Sequence, residues 1–166
     1  MQPNFYILPI AALIPLILGF FWYHPKVLGI ALATSTGRPI NQIGNQGSIW
    51  KAVFTYLFSL FMAYVLLMCS VHQYATAQLF VLDPSFGQEG SEFNTFLTDF
   101  NNKYGDRHRS FGHGIIHGVE VSALLSFALL GISTFIEGLP MKRMWIHFGY
   151  FVLCGGLMGG LICAYF

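Results

Sequence analysis

The chain alternates between long apolar runs and short polar stretches. Residues 5–23 carry no charge from Phe5 to Tyr23. Residues 50–76 open with Trp50 and Lys51, stay apolar from Phe54 to Val71, and leave through His72, Gln73 and Tyr74. Residues 111–137 and 143–166 are two further runs, joined through the turn Gly138-Leu139-Pro140. Each run is long enough for a helix across ~30 Å of hydrocarbon. The pattern predicts an all-α fold: a four-helix transmembrane bundle in a single integral membrane domain over residues 1–166. Pro9 and Pro15 predict kinks in the first span, tolerated in lipid where neighbours satisfy the freed carbonyls. That span does not read as a signal peptide. No Lys or Arg precedes Lys26, and the run ends in Phe20-Phe21-Trp22-Tyr23-His24-Pro25, an aromatic belt followed by a helix stop.

Two polar segments interrupt the apolar pattern. Residues 24–48 are rich in Gly, Asn, Gln and Ser, with a short interfacial helix expected over Pro25 to Ala33 and loop beyond it. Residues 77–110 are the largest loop, broken by Asp83, Pro84, Gly87 and Gly90. Within it, Ser91 or Glu92 through Lys103 has the spacing of an amphipathic helix, with Phe93, Phe96, Leu97 and Phe100 on one side. An ordered loop capping the bundle between the second and third spans is therefore expected.

Composition supports a lipid solvent. Hydrophobic residues make up 55% of the chain and charged ones 9%, against about 25% charged in soluble domains. The net charge of +1 offers no electrostatic footprint for nucleic acid. Lys26, Arg38, Lys51, Lys142 and Arg143 fall on one side of a four-span arrangement, and Lys103, Arg107 and Arg109 on the other. The positive-inside rule then places both termini and residues 77–110 on the extracytoplasmic side. Cys69, Cys154 and Cys163 lie in apolar runs, match no zinc or redox spacing, and read as small buried residues.

The candidate chemistry gathers where the large loop becomes the third span. At ~100° per residue, His113, His117 and Glu120 fall within an arc of roughly 60° on one helix face. Glu120 is the one acidic residue well inside an apolar segment, and ionisable groups at membrane depth mark functional sites. His72 leaves the second span on the same side, so an antiparallel neighbour brings it to this turn. Several readings stay open. One is a divalent metal, Zn, Fe or Mn, held by His72, His113, His117 and Glu120, since imidazole with carboxylate suits these ions. Glu120 lies roughly 10 Å beyond His113, so His117 with Glu120 is the closer pair. Another is a hydrogen-bonded histidine cluster without an ion. Bis-His haem, through His72 with His113 or His117 and His24 with His147, is a third. A proton path through Glu120 and His117 is a fourth, although only Ser122, Ser126, Ser133 and Thr134 continue it.

Two other features bear on partners. Arg107, His108 and Arg109 form a short basic run able to hold an anionic lipid head group, or simply to anchor at the surface. Gly155-Gly156-Leu157-Met158-Gly159-Gly160 is two overlapping GxxxG patterns, which let another helix approach closely. That helix belongs either to the same bundle or to a second copy. Two function classes follow. One is a membrane protein whose outer His/Glu cluster binds a metal or small ligand. The other is a non-catalytic accessory or scaffold subunit of a larger membrane assembly.

Several short motifs in order resemble the DUF1761 family. They are Phe21-Trp22-Tyr23-His24-Pro25, the run His108-Arg109-Ser110-Phe111-Gly112-His113-Gly114 with His117-Gly118, and Ile146-His147-Phe148-Gly149-Tyr150. The extended loop before the HG-x-x-HG segment resembles members from Bacteroidota. The resemblance implies a small four-span protein, expected in a bacterial inner membrane, and carries no activity and no catalytic residue.

Overall fold

The computed structural model describes residues 3–44 and 48–166. Residues 45–47 of the expected inner loop lie outside that description. In chain order the helices are α1 (Ile7–Ala11), α2 (Ile14–Trp22), a π-helical turn (Pro25–Gly29) running into α3 (Ile30–Thr36), a 3-10 turn (Ile40–Gln42), α4 (Ile49–Ser70), α5 (His72–Gln78), α6 (Glu92–Tyr104), α7 (Phe111–Glu137) and α8 (Met141–Tyr165). No strand occurs among the described residues.

Among the described residues, three helices are long and apolar enough to cross a membrane: α4, α7 and α8. The segment expected as a single first span is broken. α1 stops at Ala11 and α2 begins at Ile14, with Pro15 in its first turn. Proline has no N–H for the carbonyl four residues back, and its ring crowds that carbonyl, so the helix restarts. Tyr56 and Tyr150 donate to the carbonyls of Pro9 and Pro15, at 3.3 Å and 2.6 Å. Beyond Trp22 the chain turns by 58° into the segment Pro25–Thr36. Residues 4–22 nonetheless run antiparallel to α8 along its length. Asn4 N–H donates to the Phe166 carbonyl (2.7 Å) at one end, and Trp22 Nε1 to the Ile146 carbonyl (3.0 Å) at the other.

The second run also differs from its expected extent. α4 ends at Ser70, not near residue 76. Val71 leaves helical geometry (φ −109°, ψ 87°) with its side chain buried, and α5 starts afresh at His72. The third run is helical over the expected residues 111–137. The Ser110 hydroxyl accepts from the His113 N–H at its start, and Gly138 closes it in the left-handed region (φ 63°), where glycine has no Cβ to clash. In the large loop, α6 matches the expected amphipathic helix, capped by the Ser91 hydroxyl accepting from the Asn94 N–H. Its apolar side meets Phe80 and Phe86, with Phe80 and Phe93 ring centroids 4.5 Å apart.

α7 and α8 form an antiparallel pair closed by small residues. A Cβ on Gly118 would overlap the Gly155 carbonyl, and one on Gly114 the Gly159 carbonyl. Gly156 and Gly160 face the same helix, against Val119 and Phe111. Both GxxxG patterns are thus used inside the chain, against the matching stripe Gly114, Gly118 and Ser122 of α7. Elsewhere the core lies between α1, α4 and α8, where Ala11, Leu66, Leu67, Cys154, Met158 and Ile162 are buried. By contrast, only 17% of the apolar window of α7 and 22% of that of α4 are buried inside the protein. Phe58, Phe61, Leu124, Phe135 and Ile136 face outward. An apolar exterior of this extent suits a lipid environment.

Candidate functional site

The histidine site forms where α4 gives way to α5 and α7 begins. His113 and His117 sit one turn apart on α7. His72 opens α5, which the break at Val71 turns towards them. His113 Nε2 is 3.3 Å from His72 Nε2 and 3.1 Å from His117 Nε2. One ring nitrogen from each of the three lies within 4.8 Å of the others, an arrangement able to hold a metal ion. The rings meet edge to face, with His72 and His117 centroids 4.9 Å apart.

The HG-x-x-HG segment explains the register. Gly114 and Gly118 each follow a histidine, so they lie ~100° around the helix from it. The glycines press onto α8, and this turns His113 and His117 away from α8 and towards His72. A change at either glycine therefore disturbs both the packing and the site.

Neighbouring contacts hold the parts in place. Gln73 Nε2 donates to the carbonyls of Tyr104 and Arg107, both at 2.8 Å, tying α5 to the segment that follows α6. Arg109 Nε donates to the Cys163 carbonyl (2.8 Å) and the Cys163 thiol to the His108 carbonyl (3.4 Å), tying that segment to the end of α8. Between these ties His108 adopts φ 62°, uncommon for a residue with a Cβ and sustained where surroundings over-determine it.

Glu120 does not converge with the three rings. Its carboxylate reaches the other nitrogen of His117, with Oε2 3.5 Å from Nδ1, and its side chain is 60% exposed. The expected buried carboxylate is instead a peripheral partner. Seven residues along α7 from His113, it sits too far along the helix axis to reach the common centre. A carboxylate at Nδ1 favours the tautomer with the proton on Nδ1 and a free lone pair on Nε2, facing the other rings. His108, placed in the basic run by the sequence, is the member that spacing missed. Its ring stacks on His113 at 5.0 Å and 25°. Its position five residues before His113, just ahead of the helix cap, is the signal that would have included it. Of the same run, Arg109 is committed to the Cys163 carbonyl, and Arg107 is exposed, 6.0 Å from the Tyr104 ring.

His72 lies outside the spanning helices, and its pKa is lowered from the ordinary 6.5. Burial is the main cause, with the charges of His117 and His108 adding repulsion. The neutral, ligating form is thereby favoured at neutral pH. An open cleft of about 320 Å³ adjoins the cluster, lined by His72, His108, Arg107, Gln73, Phe100 and Tyr104. The second histidine pair is arranged differently. His24 Nδ1 accepts from the Lys26 N–H, and His147 Nδ1 lies 2.8 Å from the Tyr23 hydroxyl.

An all-helical chain, with apolar helices fit for a membrane and three histidines converging at one end, defines a membrane-type helical protein with a candidate metal centre. The chain belongs to the DUF1761 family: the profile of that family, described as a protein of unknown function, matches residues 8–163. No curated protein and no solved structure matches the chain.

Proposed function

We propose that this is an integral membrane protein whose His72, His113 and His117 bind one divalent transition metal at the mouth of the bundle, with Glu120 orienting His117. The observation that carries the reading is the pair of short nitrogen contacts to a single atom, His113 Nε2. A neutral imidazole nitrogen has either one proton or one lone pair, so it can satisfy one such contact as a linear hydrogen bond, not two. Three lone pairs aimed at one cation satisfy both. Nitrogens 2.0–2.1 Å from a tetrahedral ion lie ~3.3 Å apart, close to the 3.1 Å and 3.3 Å observed. Zn, Fe or Mn suits this donor set. The same convergence leaves no slot for a porphyrin plane between facing rings, which counts against haem. A three-His site keeps a coordination position open, as catalytic rather than structural zinc sites do, and the adjoining cleft offers room for a small ligand.

In this reading residues 4–22 make a fourth crossing, because they run the length of α8. The single membrane domain then has four spans, with both termini and α5–α6 on the extracytoplasmic side of a bacterial inner membrane. The small-residue stripes are occupied within the chain, so a homo-oligomer or larger complex would have to use another face. Elemental analysis of protein purified without chelator tests the proposal. One equivalent of Zn, Fe or Mn per chain, lost in His113→Ala, supports it. Metal-free protein that takes up no added ion rejects it, and leaves a hydrogen-bonded cluster in a non-catalytic accessory subunit as the better reading.

A further inference from the structure

At the opposite end of the bundle from the histidine triad, a cavity of about 560 Å³ opens between α2, α3, α4 and α8. Its volume is that of a small-molecule site. Arg38 and Arg143 line its mouth, with Gln42 and His147. Pro15, Met62 and Cys154 line the deeper part, with the outward-facing Phe58 and Phe151 at its rim. From Arg143 to Cys154 along α8 is eleven residues, roughly 16 Å of depth.

Neither arginine at the mouth has an ion-pair partner among the described residues, and Glu137, which ends α7, does not line the cavity. Neither residues 1–82 nor residues 138–166 contain an Asp or Glu, and every lining residue comes from these two stretches. Arg143 is only partly exposed, and its Nη1 is buried with no hydrogen-bond partner among the described residues. A buried guanidinium N–H without an acceptor is costly, and more so than a neutral one. Arg38 and Arg143 both line this mouth, so positive charge is concentrated there. Guanidinium groups match carboxylate and phosphate oxygens. The apolar depth matches a hydrocarbon chain.

We propose that this cavity binds a single-chain anionic amphiphile, with a phosphate or carboxylate head at Arg38 and Arg143 and its chain along Pro15, Met62 and Cys154. This does not rest on the metal reading, since the two sites share no residue.

The test uses the full chain in nanodiscs of neutral phosphatidylcholine, titrated with dodecyl phosphate, whose chain is about the length of the cavity, and with dodecanol and inorganic phosphate. The expected result is saturation at one dodecyl phosphate per chain, with dodecanol at least tenfold weaker. Arg143→Gln and Arg38→Gln should each weaken dodecyl phosphate about tenfold, the scale of one charge-assisted hydrogen bond. Arg143→Lys should retain most of the affinity, and Arg107→Gln, at the other end, all of it. Arg38 is exposed, so Arg38→Gln remains informative if Arg143 variants do not fold. Equal binding of dodecanol, or unchanged affinity in Arg38→Gln and Arg143→Gln, overturns the proposal. Inorganic phosphate binding as tightly as dodecyl phosphate overturns the assignment of the chain and shows an anion site alone.

Discussion

Gly118→Ala is the sharpest test of the α7–α8 packing. The added Cβ would overlap the Gly155 carbonyl oxygen, and would sit 2.8 Å from the carbonyl carbon and 3.2 Å from the Gly156 Cα. All three atoms are helix backbone, so no side chain can rotate aside. The helices must separate or shift instead. Overpacking of this kind costs about 1–3 kcal/mol. Alanine in place of glycine in a helix interior by itself gains about 0.8–1.0 kcal/mol, and Gly131→Ala on the same helix isolates that gain, because nothing lies within 4 Å of its added Cβ. The two substitutions share that gain, so Gly118→Ala should be the less stable of the two by the overpacking cost alone, about 1–3 kcal/mol. Unfolding in mixed micelles titrated with dodecyl sulfate measures both. Trp145 reports on the same helix pair roughly 15 Å along α8 from Gly155, as its ring lies 5.9 Å from that of Phe127 on α7. Equal stability of the two variants, or a more stable Gly118→Ala, would refute close backbone contact at this position.

Three further outcomes are expected. Glu120→Gln should weaken metal binding by about 10–100-fold, the range for a partner that orients a ligand, while His113→Ala removes it; equal losses measured by chelator competition would mean that Glu120 is itself a ligand. Metal should be released as pH falls below 6.5, because the lowered His72 pKa favours the neutral ligand above that range, and protons compete increasingly below it; the apo protein should also lose stability in that direction, since the unfolded histidine binds protons first, and release centred well above pH 6.5 would contradict this. In intact cells, single cysteines introduced in residues 85–95 should react with an impermeant reagent and those in 40–44 should not; the reverse pattern would invert the proposed orientation.

The helical runs were legible in the sequence because their causes are local. The span 111–137 coincides with α7, bounded by a Ser110 cap and a Gly138 stop that lie next to it in the chain. Ser91 and the phenylalanine spacing likewise marked α6. His113 and His117 could be placed on one face from helical periodicity alone, and Gly155 to Gly160 as a close-approach surface from residue size. What that surface meets was open between α7 and another copy, since a small residue permits approach without naming its partner. Tertiary structure decided the rest. Hydropathy carried the second span on to residue 76, whereas the break at Val71 depends on its burial against other helices and is what turns His72 into the site. Glu120 shares the histidines' face, yet its height along the axis leaves it at His117 Nδ1, outside the triad. His108 enters only because its left-handed backbone, tied to Cys163, stacks its ring on His113. Periodicity fixes angle around a helix, whereas convergence also needs the position and tilt of neighbouring helices, and these come from packing between residues far apart in the chain.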